Sequence, residues 1–345
     1  MKPRTDAHGP ARTFRRLGLE VTQRCNCRCI HCFARTPSDD AEEMPRDVAM
    51  AIVREGRQAG FDHLHLTGGE PLLYPGIFAL LDEAAAQGYT SILLNTNGLL
   101  LNPRMCRRLA QYPGLTLTVS LEGTPALHDR FRGAGTHPEV ARGLENALAA
   151  GNAVIVFTMA FKSLLPELPR FADILLSRYP GVGGLTLIRL LGPGTGRSGL
   201  NHEYLSPLEF LDLARTSALI NLYGLRTTVL NEPLINVVSA KLRLPAIPPS
   251  APLCRDGQLM IRANRRISLA HTDGHHLGTY RPGGLKKIRA AAAYRKAVAP
   301  ANRGCVRCTH QRSCRDGGLI RPADWPMKRT SPVFFCQSVL DIIAG

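Results

Sequence analysis

The stretch CNCRCIHC, residues 25–32, places four thiols within eight residues. It directly follows an apolar run, residues 17–22, whose pattern predicts a strand. Thiols at this density are hard to explain by packing, and a chain without an export signal gives no reason to expect disulfides. Leaving aside the second cysteine, the spacing Cys25-x3-Cys29-x2-Cys32 predicts a clamp of three thiolates. Such a clamp would leave one iron of a four-iron cluster open to an outside ligand, because these clusters usually take four thiolates.

Length and composition indicate an ordinary globular protein. The chain has 345 residues, of which 44% are hydrophobic, so it can bury a large core and form an α/β domain with a smaller appendage. No apolar run approaches the roughly 18 residues that a membrane span needs. The basic N-terminal segment, residues 1–16, lacks the apolar region of a signal peptide. We therefore expect a cytoplasmic location, where the ten cysteines stay reduced and available to metal.

The formal net charge of +16 is the strongest bias in the composition. Such a charge can indicate a nucleic-acid surface. Basic residues are not interleaved with aromatic ones, however, so nucleic acid is not favoured as a partner. Anionic substrates and anionic cofactor groups remain open.

Six predicted strands alternate with helices between residues 17 and 196. That order predicts parallel strands joined by right-handed crossovers. Most of these strands end in a polar, glycine-containing loop, and in parallel α/β barrels the carboxyl ends of the strands share one rim that carries the active site. Six repeats instead of eight predict an α/β fold with a partial (β/α)6 TIM-like barrel. The predicted strands are residues 17–22, 63–67, 91–95, 115–120, 153–157 and 184–188.

Composition changes along the chain divide it into four parts. Residues 1–16 form an N-terminal extension and residues 17–200 the partial barrel. Residues 201–250 read as a helical connector that ends in a proline-rich segment. Residues 251–345 contain five cysteines, short alternating runs and glycine-rich turns, which predict a small C-terminal iron–sulfur domain.

The cysteine clamp after the first strand resembles that of the radical S-adenosylmethionine (SAM) enzymes. The resemblance implies a [4Fe–4S] cluster held by Cys25, Cys29 and Cys32, with SAM on the open iron. His31 stands where this family usually has an aromatic residue, and Cys27 stands at a commonly apolar position and is interpreted as a bystander. A zinc site with a remote fourth ligand and reduced structural thiols are the other interpretations of the clamp.

Later motifs resemble the same family. Gly68-Gly69-Glu70-Pro71 is similar to the glycine-rich loop after the second strand, which binds the amino group of SAM. The stretch from Ser120 to Gly123 with the later HDRFRG, residues 128–133, resembles the SLDG…HDxxRG pattern of the subfamily with a SPASM or twitch extension. The resemblance implies that SAM is also contacted by His31, Asn95, Asn97, Ser120, Glu122, Arg132 and Ile188, with Ile188 in the segment that packs on adenine.

The C-terminal cysteines have the pattern Cys305-x2-Cys308-x5-Cys314, followed by Cys336. Taken alone, this pattern fits a zinc ribbon or an iron–sulfur site equally well. Behind a barrel of this kind it resembles the SPASM/twitch auxiliary site, although two cysteines of a complete SPASM domain are missing. The resemblance implies one auxiliary [4Fe–4S] cluster bound by Cys305, Cys308, Cys314 and Cys336, and it leaves Cys254 without a role. The nearby HTDGHH, residues 271–276, is interpreted as a β-hairpin whose histidines are exposed to solvent.

The resemblance implies reductive cleavage of SAM to a 5′-deoxyadenosyl radical that abstracts a substrate hydrogen. The favoured substrate is a peptide or protein side chain, as in the maturation of ribosomally made peptides. Tetrapyrrole synthesis of the haem d1 type, small-molecule dehydrogenation and cofactor biosynthesis are alternatives. Implied partners are a peptide, protein or small-molecule substrate, a reduced flavodoxin- or ferredoxin-type electron donor and a separate leader-peptide-binding protein, but no membrane. No catalytic acid or base can be assigned from the sequence.

Overall fold

The computed structural model describes residues 15–32, 41–190, 200–245, 247–251, 256–271, 276–298, 308–314 and 332–345. Within these ranges the strands form one ten-stranded sheet. The strands are β1 (Arg16–Thr22), β2 (His63–Gly68), β3 (Ser91–Thr96), β4 (Leu115–Ser120), β5 (Ala153–Ala160), β6 (Leu185–Arg189), β7 (Thr227–Leu230), β8 (Gln258–Ile261), β9 (Arg266–Ser268) and β10 (Gly278–Thr279).

Helices separate most of these strands along the chain. In chain order they are α1 (Arg46–Gln58), α2 (Ile77–Ala86), α3 (Pro103–Leu109), α4 (Pro125–Arg132), α5 (Thr136–Ala149), α6 (Leu168–Arg178), α7 (Pro207–Leu222), α8 (Leu234–Leu242), α9 (Leu285–Ile288), α10 (Ala292–Val298), α11 (Gln311–Cys314) and α12 (Pro332–Ala344).

The sheet order is β10-β9-β8-β1-β2-β3-β4-β5-β6-β7, and each neighbouring pair from β1 to β7 is parallel. The described strands at its two ends, β7 and β10, are not paired to each other, so the barrel is open. The prediction of an α/β fold with a partial barrel is confirmed, and all six predicted strands are present.

Alternation along the strands explains which face carries the site. In β2, Leu64 and Leu66 are buried in the apolar core, whereas His65 and Thr67 line a cavity on the other face. This two-residue period is the normal consequence of strand geometry. Because the helices bury one face of every strand, the polar positions are left for the interior of the barrel.

The structure differs from the predicted division of the chain at both ends of the connector. The segment of residues 201–250 contains β7, which extends the parallel sheet beyond β6. On the other side of the sheet, β8 pairs in parallel with β1, and β9 pairs antiparallel with β8. Strands from the predicted C-terminal domain are therefore part of the barrel sheet, and the sheet does not stop at residue 200 or at residue 250.

The helices near the C-terminus pack on the connector. The short helix α11 contacts α8, and α12 contacts both α7 and α8. Asn236 on α8 also donates a hydrogen bond to the backbone oxygen of Ser313, at 3.2 Å. Among the described helices, none is long and apolar enough to cross a membrane.

Candidate functional site: a thiol-lined cavity at the barrel mouth

A cavity of about 260 Å³ lies inside the open barrel, where the carboxyl ends of the parallel strands meet. The loop after β1 forms one of its walls and contributes Cys25, Cys27, Cys29 and Cys32. The clamp predicted from the sequence therefore faces the same space as the ends of β2 to β7.

Hydrogen bonds among the thiols favour ionisation of two predicted ligands. The bond from Cys27 lowers the pKa of Cys25 to about 6, and Asn97 and Arg132 contribute in the same direction. The bond from Cys27 likewise lowers the pKa of Cys29 to about 7, again assisted by Arg132. The same two hydrogen bonds raise the pKa of Cys27 itself. Cys27 thus donates to both of these predicted ligands, and its interpretation as a bystander stays a prediction.

This donor set fits an iron–sulfur cluster, because thiolates are the ligands that such clusters take. In the described part of the chain, no three His, Cys, Asp or Glu side chains are placed to hold one metal ion. A single ion needs its ligands close to one point. The cysteines of a four-iron cluster can lie farther apart, because each binds a different iron.

Gly68 and Gly69 line the cavity. Because they lack side chains, the cysteine loop can pack closely against them. A Cβ atom on Gly69 would lie 2.3 Å from the backbone oxygen of Arg24, and one on Gly68 would lie 2.3 Å from that of Thr22. The loop that carries the clamp can therefore lie against the end of β2 only if both positions are glycine.

Glu70 does not line the cavity. Its side chain is fully buried, and its carboxylate accepts hydrogen bonds from the backbone N–H of Asn97 (2.7 Å) and of Leu72 (3.1 Å) and from the hydroxyl of Thr96 (3.0 Å). Burial raises the pKa of Glu70 to about 7. The carboxylate joins the ends of β2 and β3, and a contact with SAM, as the motif implies, would compete with these three donors.

Glu122 also lies behind the cavity wall, where it holds a cavity-lining arginine. One carboxylate oxygen accepts hydrogen bonds from Arg132 Nε (2.9 Å) and Nη2 (2.6 Å), and the other accepts one from the backbone N–H of Met159 at 2.7 Å. Burial raises the pKa of Glu122. Arg132 in turn places Nη1 3.8 Å from the sulfur of Cys29, so Glu122 reaches the clamp through Arg132.

His31 lines the cavity beside this pair, with Nε2 3.6 Å from Glu122. Its ring packs edge-on against Phe161 and Phe131, with centroids 5.3 and 5.9 Å away. The histidine at this usually aromatic position is therefore packed as an aromatic residue would be, and it also has a polar contact.

Eight of the ten residues that the sequence assigned to SAM line the cavity, and the exceptions are Glu70 and Glu122. Asn97 also donates a hydrogen bond to Asn26 in the cysteine loop at 2.7 Å, which ties the end of β3 to the clamp. The eight cavity-lining residues are His31, Gly68, Gly69, Asn95, Asn97, Ser120, Arg132 and Ile188.

The predicted auxiliary ligands are only partly within the described residues. Cys314 ends α11 and Cys336 lies in α12, and these two helices pack on the same helix, α8. Cys308 is exposed just before α11. Cys305, like Cys254, lies outside the described residues. The auxiliary ligand set stays a prediction.

Sequence reasoning missed a polar wall contributed by β1, β2, β8 and the turn after β9. Its cavity-lining members are Arg16, His65, Gln258 and His271. The interpretation of His271 as a solvated residue is wrong, because its side chain is about nine-tenths buried and its Nδ1 lies 3.3 Å from Glu20. Alternation in His63-Leu-His-Leu-Thr67 could have identified His65, since it shares a face with Thr67.

A buried ion pair forms the opposite edge of the cavity. Arg189, at the end of β6, lies 2.5 Å from Glu232, which follows β7, and both side chains are almost completely buried. The guanidinium also lies over the rings of Phe335 and Phe210, at 4.7 and 5.2 Å. This ion pair could not be predicted from a local sequence pattern, because Arg189 and Glu232 are 43 positions apart. The strand that precedes Glu232, β7, was also not predicted.

The sequence resembles known protein families. The sequence matches the radical SAM superfamily over residues 19–171, the range that carries β1 to β5 and the clamp. The chain contains a radical SAM domain. This match bears out the resemblance drawn from the cysteine spacing.

Curated proteins match this chain over about half of its length. Mycofactocin maturase MftC from Mycobacterium tuberculosis H37Rv is 30% identical over 181 residues, which is 52% of this chain and 46% of the relative. AdoMet-dependent heme synthase from Methanosarcina barkeri is 33% identical over 163 residues, 46% of each chain. The chain thus spans about half the length of the curated relatives it matches.

Solved structures extend the likeness in fold beyond the radical SAM domain. The structure of anSMEcpe with bound AdoMet superposes with a TM-score of 0.72 at 16% identity, over 96% of this chain and 99% of that one. The same enzyme is also known with AdoMet and the peptide Kp18Cys. At this identity the likeness concerns the fold, including the strands that follow β6.

Proposed function

We propose that this chain is a radical SAM enzyme that modifies a peptide or protein side chain. The observation that carries the proposal is the cavity itself, in which three clamp thiols face eight of the residues assigned to SAM. A [4Fe–4S] cluster with SAM supplies, when bound and reduced, a 5′-deoxyadenosyl radical that removes a hydrogen atom from the substrate.

The protein's own residues bind and orient these groups. Cys25, Cys29 and Cys32 hold the cluster, and the ends of β2 to β6 contact SAM. Glu122 fixes Arg132 beside Cys29, which places a positive charge next to the thiolates. Apolar side chains on β5 and β7, Phe157, Met159 and Leu230, line part of the remaining wall.

A peptide substrate is supported by the relatives. MftC is named a maturase, and anSMEcpe has been solved with a bound peptide. We extend this substrate class to the present chain, together with a reduced flavodoxin- or ferredoxin-type electron donor and a separate leader-peptide-binding protein. An auxiliary [4Fe–4S] cluster bound by Cys305, Cys308, Cys314 and Cys336 would accept the electron that remains after hydrogen abstraction.

The clamp is tested by replacing Cys25, Cys29 and Cys32 together with alanine. After anaerobic reconstitution and reduction, 5′-deoxyadenosine formation from SAM should fall to the level of a protein-free control. Cys27→Ala is the matched control, since it removes a thiol from the same loop, and it should retain activity within about threefold. Cleavage of SAM by the triple variant would contradict the proposal.

Tetrapyrrole synthesis is the second candidate, because the heme synthase of Methanosarcina barkeri is 33% identical over its matched region. Three cavity-lining arginines, Arg16, Arg132 and Arg189, could face propionate groups. Incubation of the reduced enzyme and SAM with an iron porphyrin, followed by mass spectrometry, separates the candidates. Loss of mass from the propionates would favour this second function.

A further inference from the structure

The turn after β7 holds one residue in an unusual backbone conformation at the cavity wall. Asn231 has φ of 56°, in the left-handed region that residues other than glycine seldom adopt, although asparagine does so more readily than most. Two other described non-glycine residues have positive φ, Arg243 and Arg265, but neither lines the cavity. Asn231 does line it.

The neighbours of Asn231 fix this conformation. On one side, Leu230 is held in β7 by pairing with Ile188 of β6. On the other side, Glu232 is held by its ion pair with Arg189, by its backbone N–H, which donates to Ser250 Oγ at 2.9 Å, and by its carbonyl, which accepts from Ile235 N–H at 3.0 Å. A left-handed residue persists where its surroundings determine it in this way, and such residues cluster at binding sites.

The side chain of Asn231 is not needed for this arrangement. Among the described residues, its carboxamide makes no hydrogen bond to another group. The residue is partly exposed in the cavity. A carboxamide offers an acceptor oxygen and an N–H donor side by side, which the N–H and C=O of one residue in an extended peptide complement.

Asn231 directly follows a strand at one end of the described sheet. In the described sheet, β7 is an end strand whose partner is β6. Asn231 therefore lies in the cavity wall, directly after a strand whose other edge has no partner strand among the described residues. Ile188, which is assigned to the adenine of SAM, is the register partner of Leu230, so a group bound at Asn231 would lie beside SAM.

We propose that Asn231 recognises the backbone N–H and C=O of one residue of a peptide substrate through paired hydrogen bonds, and that its left-handed backbone aims the carboxamide into the cavity. This inference rests on the proposed peptide-modifying function and names a residue that binds the substrate in that site. It makes Asn231 a determinant of binding next to the reacting centre, with no part in the hydrogen abstraction.

The test uses Asn231→Gly, because glycine keeps the left-handed backbone and removes the carboxamide alone. Arg265→Gly is the matched control, since it makes the same change at an exposed left-handed position outside the cavity. The probes are a pool of N-acetyl dipeptide methylamides and the same pool with its backbone nitrogens methylated. Binding to the iron-reconstituted, SAM-loaded enzyme is measured by equilibrium dialysis and mass spectrometry at millimolar probe.

Asn231→Gly should weaken binding of the amide pool about tenfold, the effect of losing one good hydrogen-bonded pair. It should leave the affinities for the N-methylated pool and for SAM within about twofold, and Arg265→Gly should change none of the three. An equal loss for the two pools, a loss of SAM affinity, or failure of the wild-type enzyme to bind the amide pool would each overturn the inference. The proposed function fails separately, if the wild-type enzyme forms no 5′-deoxyadenosine.

Discussion

Arg132 joins more parts of the site than any other cavity residue described above. It is nearly buried, it donates two hydrogen bonds to the fully buried Glu122, and it approaches the sulfur of Cys29. Burying two charges is costly, and removing one partner leaves the other charge unpaired in the interior. The pair therefore constrains the site more strongly than a surface ion pair would.

We expect Arg132→Gln to lower the free energy of unfolding by about 3–5 kcal/mol, because Glu122 would remain as an unpaired buried carboxylate. The measurement is urea unfolding of the iron-free chain followed by circular dichroism. The double variant Arg132→Gln/Glu122→Gln should recover part of that loss, since no charge is then stranded. A double variant as unstable as the sum of the two single variants would show that the charges do not interact.

Single residues also show which features of the site could not be predicted from the sequence. The motif predicted a close approach at Gly68 and Gly69, because a glycine pair after a strand marks one, and both residues line the cavity. The motif does not show which group lies close to the two glycines. The structure shows the backbone of Thr22 and Arg24 there, and it shows the carboxylate of Glu70 bonded to β3. Whether a polar side chain faces a ligand or its own chain depends on tertiary contacts that a motif does not contain.

At the scale of elements, the cysteine loop depends on its fit against the end of β2. Gly69→Ala would place a Cβ atom 2.3 Å from the Arg24 oxygen and 2.6 Å from that of Gln23. Both atoms are backbone, so the loop itself must shift. We expect this variant to keep its helical circular dichroism signal and to lose most of the iron bound at the clamp. Iron is counted per chain after anaerobic reconstitution.

Gly181→Ala is the control for this prediction, since the nearest atom to its added Cβ is a flexible side-chain carbon of Leu148 at 3.2 Å. It should bind as much iron as the unmodified chain. Full iron content in Gly69→Ala would mean that the loop reaches the cluster without its packing on β2.

The elements themselves differ in how far local pattern reveals them. The strands β1 to β6 were predictable because each combines a buried, β-branched or leucine-rich face with a turn-forming end. The strand β7 has four residues, Thr227–Leu230, between a helix and a proline, and it is too short for periodicity to distinguish from a loop. The pairing of β8 with β1 joins residues more than 240 positions apart, which no local pattern encodes.

For the molecule as a whole, the pairing of β8 with β1 means that the barrel sheet is completed by residues late in the chain. A protein that ends at residue 250 would expose the edge of β1 that β8 covers. Open strand edges promote association between chains. We expect this truncated chain to aggregate or to be cleaved rapidly by protease, and a chain that ends at residue 298, which keeps the described strands, to remain in solution. Sedimentation after expression compares the two, and a monomeric, protease-resistant chain of 250 residues would contradict the expectation.

The number of clusters is also a property of the whole chain. Two four-iron clusters predict about eight irons and eight sulfides per chain after reconstitution, because the clamp and the auxiliary site would each hold four. Cys314→Ala together with Cys336→Ala should reduce the count to about four while SAM cleavage persists, since these residues lie on α11 and α12, outside the cavity. A count of about four in the unmodified chain would rule out the auxiliary cluster. A count of about twelve would show that a further site forms despite the two missing SPASM cysteines, with Cys254 as the first candidate ligand.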